Sequence, residues 1–482
     1  MGKILLLFCL AMTGLVKAQT KAPEPVLPVP SAAQVEWQRM ETYAFIHFGP
    51  NTFLDQEWGY GDADPAVFNP SRLDCDQWVR ILKQAGMKGV IFTAKHHDGF
   101  CLWPTRLTEY NISRSPYKQG KGDLVGELAD ACRRHGLKLG LYLSPWDRHQ
   151  ATYGTAAYTE LYHRQWEELL THYGPLFEVW FDGANGGDGY YGGARETRRI
   201  DGRTYYDLPE AFAQVGRLQP YAIIFSDGGP GCRWVGNERG HADATNWSLL
   251  RAGELYPGTP HTETLPTGHA NGNQWTAAEC DVSVRPGWFY HEREDSLVKS
   301  PQQLADIFYR SVGHNATFLL NVPVDKEGRI HPADSTAIVG FHELITSELS
   351  DNLLCHARIK ASSTRGRTFS VKALTDNDFH TYWATPDGVT NATLSITFRH
   401  PTLLNRLRLQ EYIPLGQRVK SFAIDYWDGH QWQSLPCDEP TTTIGYTRLL
   451  RFPTIETKRL RIRLLQARGP LCINEIGAYL AK

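Results

Sequence analysis

Apolar residues follow two alternating patterns between residues 40 and 345 of the 482-residue chain. Short continuous apolar runs are typical of buried strands. They alternate with longer segments in which apolar residues recur at helical spacing, such as Trp78, Ile81, Leu82 and Ala85 before Gly86. The apolar runs predict strands over residues 43–48, 89–94, 137–143, 177–181, 221–226, 288–290 and 318–322.

Polar residues stand at the ends of the first five predicted strands, about 40–50 residues apart. Units of that length are typical of βα repeats in a parallel sheet. A (β/α)8-like barrel fits better than a doubly wound sheet, because no GxGxxG motif follows the first strand and polar residues gather at strand ends. These strand-end residues are His47, His97, Ser144, Asp182 and Asp227.

The pattern changes after about residue 350, where short segments of alternating apolar and polar residues are separated by turns. Such a pattern is typical of an all-β sandwich. The segments predict strands over 369–371, 394–398, 406–409, 421–426 and 459–464. We therefore expect a catalytic (β/α)-barrel over residues 36–348 and a β-sandwich domain over residues 349–482.

The first 18 residues predict a secretory signal peptide, in which Lys3 precedes an apolar run that is too short to span a membrane. Residues 19–35 are expected to form an extended leader. The protein is therefore expected to be exported, to the periplasm or the medium. Without Cys9, eight scattered cysteines remain and form no CxxC pair, so the sequence indicates neither a zinc knuckle nor a disulfide pairing.

Composition narrows the class of partner. The net charge is −2 and no basic run is present, so nucleic acid is not an expected partner. Aromatic residues make up 12% of the chain, with 14 Trp and 22 Tyr. This excess is compatible with carbohydrate binding, since amphipathic rings suit the apolar faces and polar rims of sugars, and equally with a well-packed core.

The segment 177–183 brings an acid and a ring together. On a strand, Glu178, Trp180 and Asp182 point to one face, because side chains alternate with period two. A ring that stacks on a sugar beside an acid that attacks it is typical of a glycosidase site. The alternative is a strand whose last Asp only forms a turn.

Glycoside hydrolysis usually needs a second carboxylate. We predict Glu238, in the segment 233–240 after the fifth predicted strand, as that partner. Glu279 is its main competitor. Asp227 and Glu178 are weaker candidates. Glu178 lies four residues below the strand end, and an inward carboxylate that deep in a barrel is more often a paired structural group.

Two further segments could bind substrate. His96 and His97 follow a buried strand, and with His47 they would donate hydrogen bonds to sugar hydroxyls. A zinc or iron site on these histidines is the less favoured reading, because no HxH or HExxH spacing accompanies them. Glu57 and Trp58, in a glycine-rich loop, offer an acceptor beside a stacking ring, unless they form an ordinary surface turn.

Five motifs resemble those of the α-L-fucosidases of glycoside hydrolase family 29, and the resemblance runs over almost the whole mature sequence. They lie at 47–49, 57–59, 94–100, 180–183 and 285–288. The resemblance implies that Asp182 is the nucleophile of a retaining reaction and that Glu57 and Trp58 close over the sugar. It implies a fucose pocket lined by His47, His96, His97, Tyr142, Trp180 and Trp288.

The acid/base loop differs between branches of the family. The broad-specificity branch typically has Asp-Arg after the fifth strand, whereas here Gly228 follows Asp227. The segment before Glu238 resembles the branch selective for α-1,3- and α-1,4-linked fucose, which supports Glu238 over Glu279. The expected substrate is a fucosylated oligosaccharide or glycoprotein glycan.

The C-terminal part, through residues 374–378 and 409–416, resembles a discoidin-type (coagulation factor 5/8, CBM32-like) carbohydrate-binding domain. The resemblance implies no cofactor for catalysis and leaves room for a structural calcium ion in this domain. The competing functions are another retaining barrel glycosidase, a catalytically silent glycan-binding protein, and a metal-dependent hydrolase built on His96 and His97.

Overall fold

The computed structural model describes residues 20–260 and 262–481, so the predicted signal peptide lies outside the described residues. Within these ranges the chain forms a closed barrel followed by an antiparallel β domain. None of the described helices combines the length and apolar character that crossing a lipid bilayer requires.

Eight parallel strands close the barrel in chain order, and the last strand pairs with the first. The expected (β/α)8-like fold is thus confirmed. The strands are β1 (Thr42–Ile46), β2 (Gly89–Lys95), β3 (Lys138–Leu143), β4 (Leu176–Trp180), β5 (Ile223–Ser226), β6 (Cys232–Trp234), β7 (Ala277–Ser283) and β8 (Ala316–Asn321).

Helices surround most of the barrel. A side-chain cap from Asp123 begins the helix before β3, and Gly136 at φ 70° ends it, where a residue with a Cβ would be strained. The helices are α1 (Ala32–Gln38), α2 (Pro50–Leu54), α3 (Cys75–Gln84), α4 (Leu124–His135), α5 (Ala156–His172), α6 (Leu208–Leu218), α7 (Pro301–Arg310) and α8 (Pro332–Leu349).

The second half of the barrel departs from the predicted strand list. Residues 288–290 form no strand, and the seventh strand is instead β7. The three-residue β6, which contains Arg233, is too short and too polar for the apolar pattern to reveal. Glu238 therefore follows the sixth strand rather than the fifth. No α-helix connects β5 to β6, or β6 to β7 across the described residues between them.

Helix α1 lies at the amino-terminal end of the barrel and begins within the predicted leader. Trp37 in the helix and Met40, two residues beyond its end, belong to the same buried cluster as Tyr43, Phe45 and Trp180. The helix therefore closes the lower end of the barrel, and the carboxyl ends of the strands are left for a site.

The C-terminal domain has an antiparallel sheet with two 20-residue strands and one large hydrophobic core. Its register breaks near residues 397–402 and 404–406. The predicted strand at 369–371 is wrong, because this segment enters a 3-10 turn. The strands are β9 (Arg358–Ala361), β10 (Trp383–Ala384), β11 (Ala392–Glu411), β12 (Val419–Trp427), β13 (Trp432–Ser434), β14 (Arg448–Ala467) and β15 (Cys472–Tyr479).

A buried polar network joins the two domains beside β6, where the described residues form no α-helix. Asn246, in the long β6–β7 connection, accepts a hydrogen bond from Arg233 at 2.7 Å and donates to the carbonyl of His314 at 2.8 Å. From the C-terminal domain, Gln417 donates to the Asn246 carbonyl at 2.9 Å and accepts from the Ser248 amide at 2.7 Å. The C-terminal domain therefore holds the segment that follows Glu238.

Candidate active site

A cavity of about 270 Å³ opens at the carboxyl ends of the barrel strands. All of the predicted site residues except Glu57 line it. A larger cavity of about 550 Å³ lies at the opposite end around α1, but its lining is mostly apolar, and among the described residues that line it Glu36 alone is acidic. The lining of the upper cavity includes Phe45, His47, Trp58, His96, His97, Tyr142, Trp180, Asp182, Asp227, Trp234, Glu238, Asp281 and Trp288.

Asp182 lies two residues beyond the end of β4, with its side chain about one quarter exposed to the cavity (23%). Its Oδ2 accepts a hydrogen bond from the Tyr142 hydroxyl at 2.8 Å, and its Oδ1 accepts from the Ala184 amide at 2.8 Å. His97 Nε2 is 3.9 Å from Oδ2. These contacts fix the orientation of a carboxylate that still faces open space.

The histidines of the cavity are neutral. Burial lowers the pKa of His47 to about 3 and that of His97 to about 4. His47 Nδ1 donates to Asn321 Oδ1 at 2.9 Å, and His97 Nδ1 donates to Ser144 Oγ at 2.7 Å, since that hydroxyl itself donates to a carbonyl. Both histidines therefore turn Nε2 away from these partners as a hydrogen-bond acceptor.

His96 lies between the other two histidine rings, with ring centroids 5.4 Å from His47 and 4.1 Å from His97. Burial also lowers its pKa well below the usual value. Its Nδ1 is buried and has no hydrogen-bond partner within residues 20–260 and 262–481. A ligand hydroxyl is the kind of group that would satisfy it.

Glu238 lies at the rim of the cavity, where Trp288 Nε1 donates to its Oε2 at 3.2 Å. Partial burial by the cavity walls raises the pKa of the Glu238 carboxyl, and the charge of Asp182 adds to this rise. The residue remains exposed to solvent, which limits the shift. Glu238 therefore gives up its proton less readily than an ordinary glutamate while keeping access to water.

Glu279, the competing candidate, lies beneath the cavity and is fully buried. It accepts hydrogen bonds from Trp180 Nε1 at 2.8 Å and from the Tyr43 hydroxyl. Its neighbour Glu178 accepts from Trp37 Nε1 at 2.8 Å. Burial and the charge of Glu279 hold the pKa of Glu178 well above its usual value, so the pair shares one proton.

Glu57 points out of the cavity lining, toward the loop that follows β7. Its neighbour Trp58 does line the cavity, is 55% exposed, and packs edge-on against His97 at 5.2 Å and Trp146 at 5.6 Å. The two residues predicted to act together are thus separated, with the ring facing the cavity and the carboxylate facing the protein.

The cavity combines one oriented carboxylate, one protonatable carboxyl group, neutral imidazoles and aromatic walls. Comparison with known proteins agrees with a sugar site of this kind. The family model described as Alpha-L-fucosidase matches residues 26–342, and the F5/8 type C domain model matches residues 358–476. The chain belongs to the α-L-fucosidase family, glycoside hydrolase family 29.

Relatives and solved structures cover nearly all of this fucosidase. A putative α-L-fucosidase 1 of Oryza sativa is 43% identical, over 96% of this chain and 87% of its own. A putative α-L-fucosidase structure from Bacteroides thetaiotaomicron is 37% identical with a TM-score of 0.88, covering 96% and 99% of the chains. A Ruminococcus gnavus family 29 fucosidase in complex with fucose is 32% identical with a TM-score of 0.86, covering 96% and 97%.

Sequence reasoning missed one carboxyl group of this fucosidase site and underrated another. Asp281, at the end of β7, accepts from Trp234 Nε1 at 2.8 Å, and burial raises its pKa well above the usual value. Asp227 accepts from the Gly258 amide at 2.7 Å, and burial raises its pKa to about 7. The period-two spacing of Glu279 and Asp281 on one strand was a signal that could have placed Asp281 in the barrel.

Proposed function

We propose that this α-L-fucosidase is a retaining exo-glycosidase that releases terminal α-L-fucose, with Asp182 as the nucleophile and Glu238 as the acid/base. The single observation that carries the proposal is that Asp182 and Glu238 line the same cavity in different environments. Asp182 is oriented by two donated hydrogen bonds. Glu238 has a raised pKa at the rim, where a leaving group would depart.

In the first step Asp182 attacks the anomeric carbon, and the bond from that carbon to the glycosidic oxygen breaks. Glu238 gives its proton to the departing oxygen. In the second step Glu238 takes a proton from water, whose oxygen bonds to the anomeric carbon and displaces Asp182. Fucose leaves with its original configuration, and both carboxyl groups return to their starting states.

The remaining cavity residues suit the rest of the sugar. The neutral histidines His47, His96 and His97 present nitrogen atoms to hydroxyl groups. Trp180 stacks on Phe225 with centroids 3.8 Å apart, which fixes one wall, and Trp288 with Phe45 forms another. Aromatic walls favour the C6 methyl of fucose over a hydroxyl that would stay unsatisfied there.

Proton NMR of the first fucose released tests retention. The α-anomer should appear first and then mutarotate, whereas initial β-anomer would show inversion. Retaining enzymes place their two carboxyl groups about 5–5.5 Å apart, so a complex with fucose gives a second check.

Azide rescue tests the acid/base assignment. Glu238→Ala should regain activity with azide on an activated aryl fucoside and give the fucosyl azide of retained configuration. Glu279→Ala is the matched comparison. If that variant is rescued and Glu238→Ala is not, the assignment is wrong.

We further propose a preference for α-1,3- and α-1,4-linked fucose on branched glycans, supported by the segment before Glu238 and by Gly228 after Asp227. Linkage-defined fucosylated trisaccharides, with and without the branching galactose, test it. Preferential cleavage of the branched α-1,3 and α-1,4 compounds is expected. Equal or faster cleavage of α-1,2-linked fucose would contradict this preference.

Catalysis through two carboxyl groups needs no metal, so we expect full activity after exhaustive EDTA treatment. Glu178, Cys232 and Glu279 place ligand atoms within 4.8 Å of one another, but burial raises the pKa of the Cys232 thiol and keeps it protonated. A calcium ion in the C-terminal domain would appear as a fall in Tm on chelation without loss of rate.

Export is tested by N-terminal sequencing of the mature protein, whose first residue should be Gln19.

A further inference from the structure

The ring of His97 is held so that its two nitrogen atoms face different groups. The residue is 3% exposed, and its ring packs between those of His96 at 4.1 Å and Trp146 at 5.5 Å. Nδ1 lies 2.7 Å from Ser144 Oγ, whereas Nε2 lies 3.9 Å from Asp182 Oδ2. The position of the imidazole hydrogen therefore decides what the ring offers to the side where Asp182 lies.

Ser144 determines where that hydrogen lies. Its side chain is completely buried, and its hydroxyl donates to the Trp146 carbonyl at 2.7 Å. A carbonyl can only accept and a hydroxyl has one hydrogen, so the Ser144 oxygen offers His97 Nδ1 a lone pair. Burial lowers the pKa of His97 to about 4, which keeps the ring neutral at ordinary pH. The single hydrogen of the neutral ring is therefore on Nδ1, and Nε2 carries a lone pair.

His47 is set in the same way by a side-chain amide. Asn321 Nδ2 donates to Ser283 Oγ at 2.9 Å and to the Trp288 carbonyl at 2.8 Å. These two bonds fix the orientation of the amide, and its Oδ1 accepts from His47 Nδ1 at 2.9 Å. Two of the three imidazoles in the cavity wall therefore carry no hydrogen on Nε2, so they accept hydrogen bonds there rather than donate them.

The tautomer of His97 matters because of its neighbour Asp182. With a lone pair on Nε2, the imidazole and the carboxylate are two acceptors 3.9 Å apart. The other tautomer would place an N–H group there, and a small movement would turn the contact into a hydrogen bond. A hydrogen bond to the carboxylate would stabilise its negative charge and make it a weaker nucleophile.

We propose that Ser144 is a positioning residue that fixes the tautomer of His97, so that Nε2 accepts a hydrogen bond from a sugar hydroxyl and donates none to Asp182. This inference rests on the proposed role of Asp182 as the nucleophile. It requires the substrate to bring a hydroxyl hydrogen to this part of the cavity. Ser144 itself is buried behind the ring of His97 and is not part of the cavity lining.

Neutron diffraction from crystals of the perdeuterated protein locates the hydrogen directly. Wild type should show deuterium on His97 Nδ1 and none on Nε2, with the Ser144 hydroxyl pointing at the Trp146 carbonyl. In Ser144→Ala, Nδ1 loses its acceptor, and the charge of Asp182 should draw the deuterium to Nε2. Deuterium on Nε2 of the wild-type ring would overturn the proposal.

Fucose analogues report the same tautomer in solution. The inhibition constants of L-fucose and of its 2-, 3- and 4-deoxy and deoxyfluoro derivatives are compared, and the position that becomes insensitive in His97→Ala is the hydroxyl that His97 contacts. At that position the deoxy compound should bind wild type about fivefold to tenfold more weakly than fucose. Fluorine accepts but cannot donate, so the fluoro compound should bind no better than the deoxy compound. Tighter binding of the fluoro compound would show that His97 donates and would contradict the proposal.

The variant Ser144→Ala should reverse this order, so that the fluoro compound binds better than the deoxy compound, and kcat/KM should fall about tenfold. The matched control is Ser226, which is also completely buried and whose hydroxyl donates to the Gly229 carbonyl. Ser226→Ala should keep the wild-type order and rate. A Ser144→Ala protein that matches Ser226→Ala would overturn the proposal. If Ser144→Ala does not fold, the wild-type neutron and analogue measurements still decide.

Failure of the proposed function gives a different result. If Asp182 is not the nucleophile, Asp182→Asn keeps its activity or the first fucose released is the β-anomer, whichever nitrogen of His97 holds the deuterium. If Asp182 is the nucleophile and the deuterium lies on Nε2, the proposed function stands and the role of Ser144 is wrong.

Discussion

Two groups of carboxylic acids occupy the same barrel at different depths. Strand β4 supplies Glu178 to the lower group, and Asp182, two residues beyond its end, belongs to the upper group; strand β7 supplies Glu279 below and Asp281 above. The lower pair is sealed by Tyr43, Trp37 and Trp180, whereas the upper group lines the cavity. Depth along the barrel therefore separates the buried acids that bond the barrel's own side chains from the acids that can meet a substrate.

The largest expected effect separates the two acids of β4. Asp182→Asn should lower kcat by about 10⁴- to 10⁶-fold, the range found when a residue of a nucleophilic catalytic apparatus is removed, and should leave Tm unchanged. Glu178→Gln should keep kcat within a few-fold, because Gln mimics the protonated acid. Aryl fucoside kinetics measure kcat and thermal melts measure Tm for the two variants. Comparable rate losses in both would contradict the distinction between a catalytic Asp182 and a structural Glu178.

The next comparison sets Glu238 against Glu279. Glu238→Gln should lower kcat on a fucosyl disaccharide by about 10²- to 10⁴-fold and leave Tm unchanged. Glu279→Gln should leave kcat close to the wild-type value and lower the free energy of unfolding by about 1–3 kcal/mol, because an amide cannot accept every hydrogen bond that the buried carboxylate accepts. Denaturant unfolding and disaccharide kinetics decide. A stable but inactive Glu279→Gln would transfer the acid/base role to the lower pair.

The pH profile gives a smaller effect. Glu238 must carry its proton in the first step, and burial raises its pKa, so kcat/KM should fall as pH rises through that raised pKa. Glu238→Gln should lose this alkaline limb. The histidines should add no inflection near pH 6.5, because His47 and His97, with pKa values of about 3 and 4, are already neutral there. Asp227 has a pKa of about 7 in the same cavity, so an inflection near 6.5 would be assigned to a histidine only if it survives in both Glu238→Gln and Asp227→Asn.

The smallest effect concerns the lower pair alone. The folded state holds a proton on Glu178 that the unfolded chain releases at ordinary Glu pKa, so wild-type stability should decline as pH rises above about 4.5. Glu178→Gln lacks this proton. Its Tm relative to wild type should therefore rise between pH 5 and pH 8, as a series of melts would measure. A constant difference would show that the pair holds no extra proton.

Sequence patterns predicted the first five strands because each is a continuous apolar run that ends in a polar residue. They did not show β6, since three residues that include a buried Arg233 leave no apolar signature. They could not show which backbone amides donate to the Glu57 carboxylate, because Trp288 and Phe289 lie more than 200 residues further along the chain. Contacts across such separations form only when the barrel closes. The apolar pattern predicts the fold class but not these individual contacts.

The polar network between the domains bears on how this fucosidase could be divided or recombined. Asn246, Ser248 and Gln417 are completely buried, and their hydrogen bonds cross the junction. Cutting the chain after α8 would expose the backbone carbonyl of Asn246 and the amide of Ser248, which both bond Gln417 in the intact protein. The barrel is therefore not expected to fold and express on its own. Replacing the C-terminal domain with a foreign sugar-binding module would require copying the residues that bond the barrel, such as Gln417, as well as the linker.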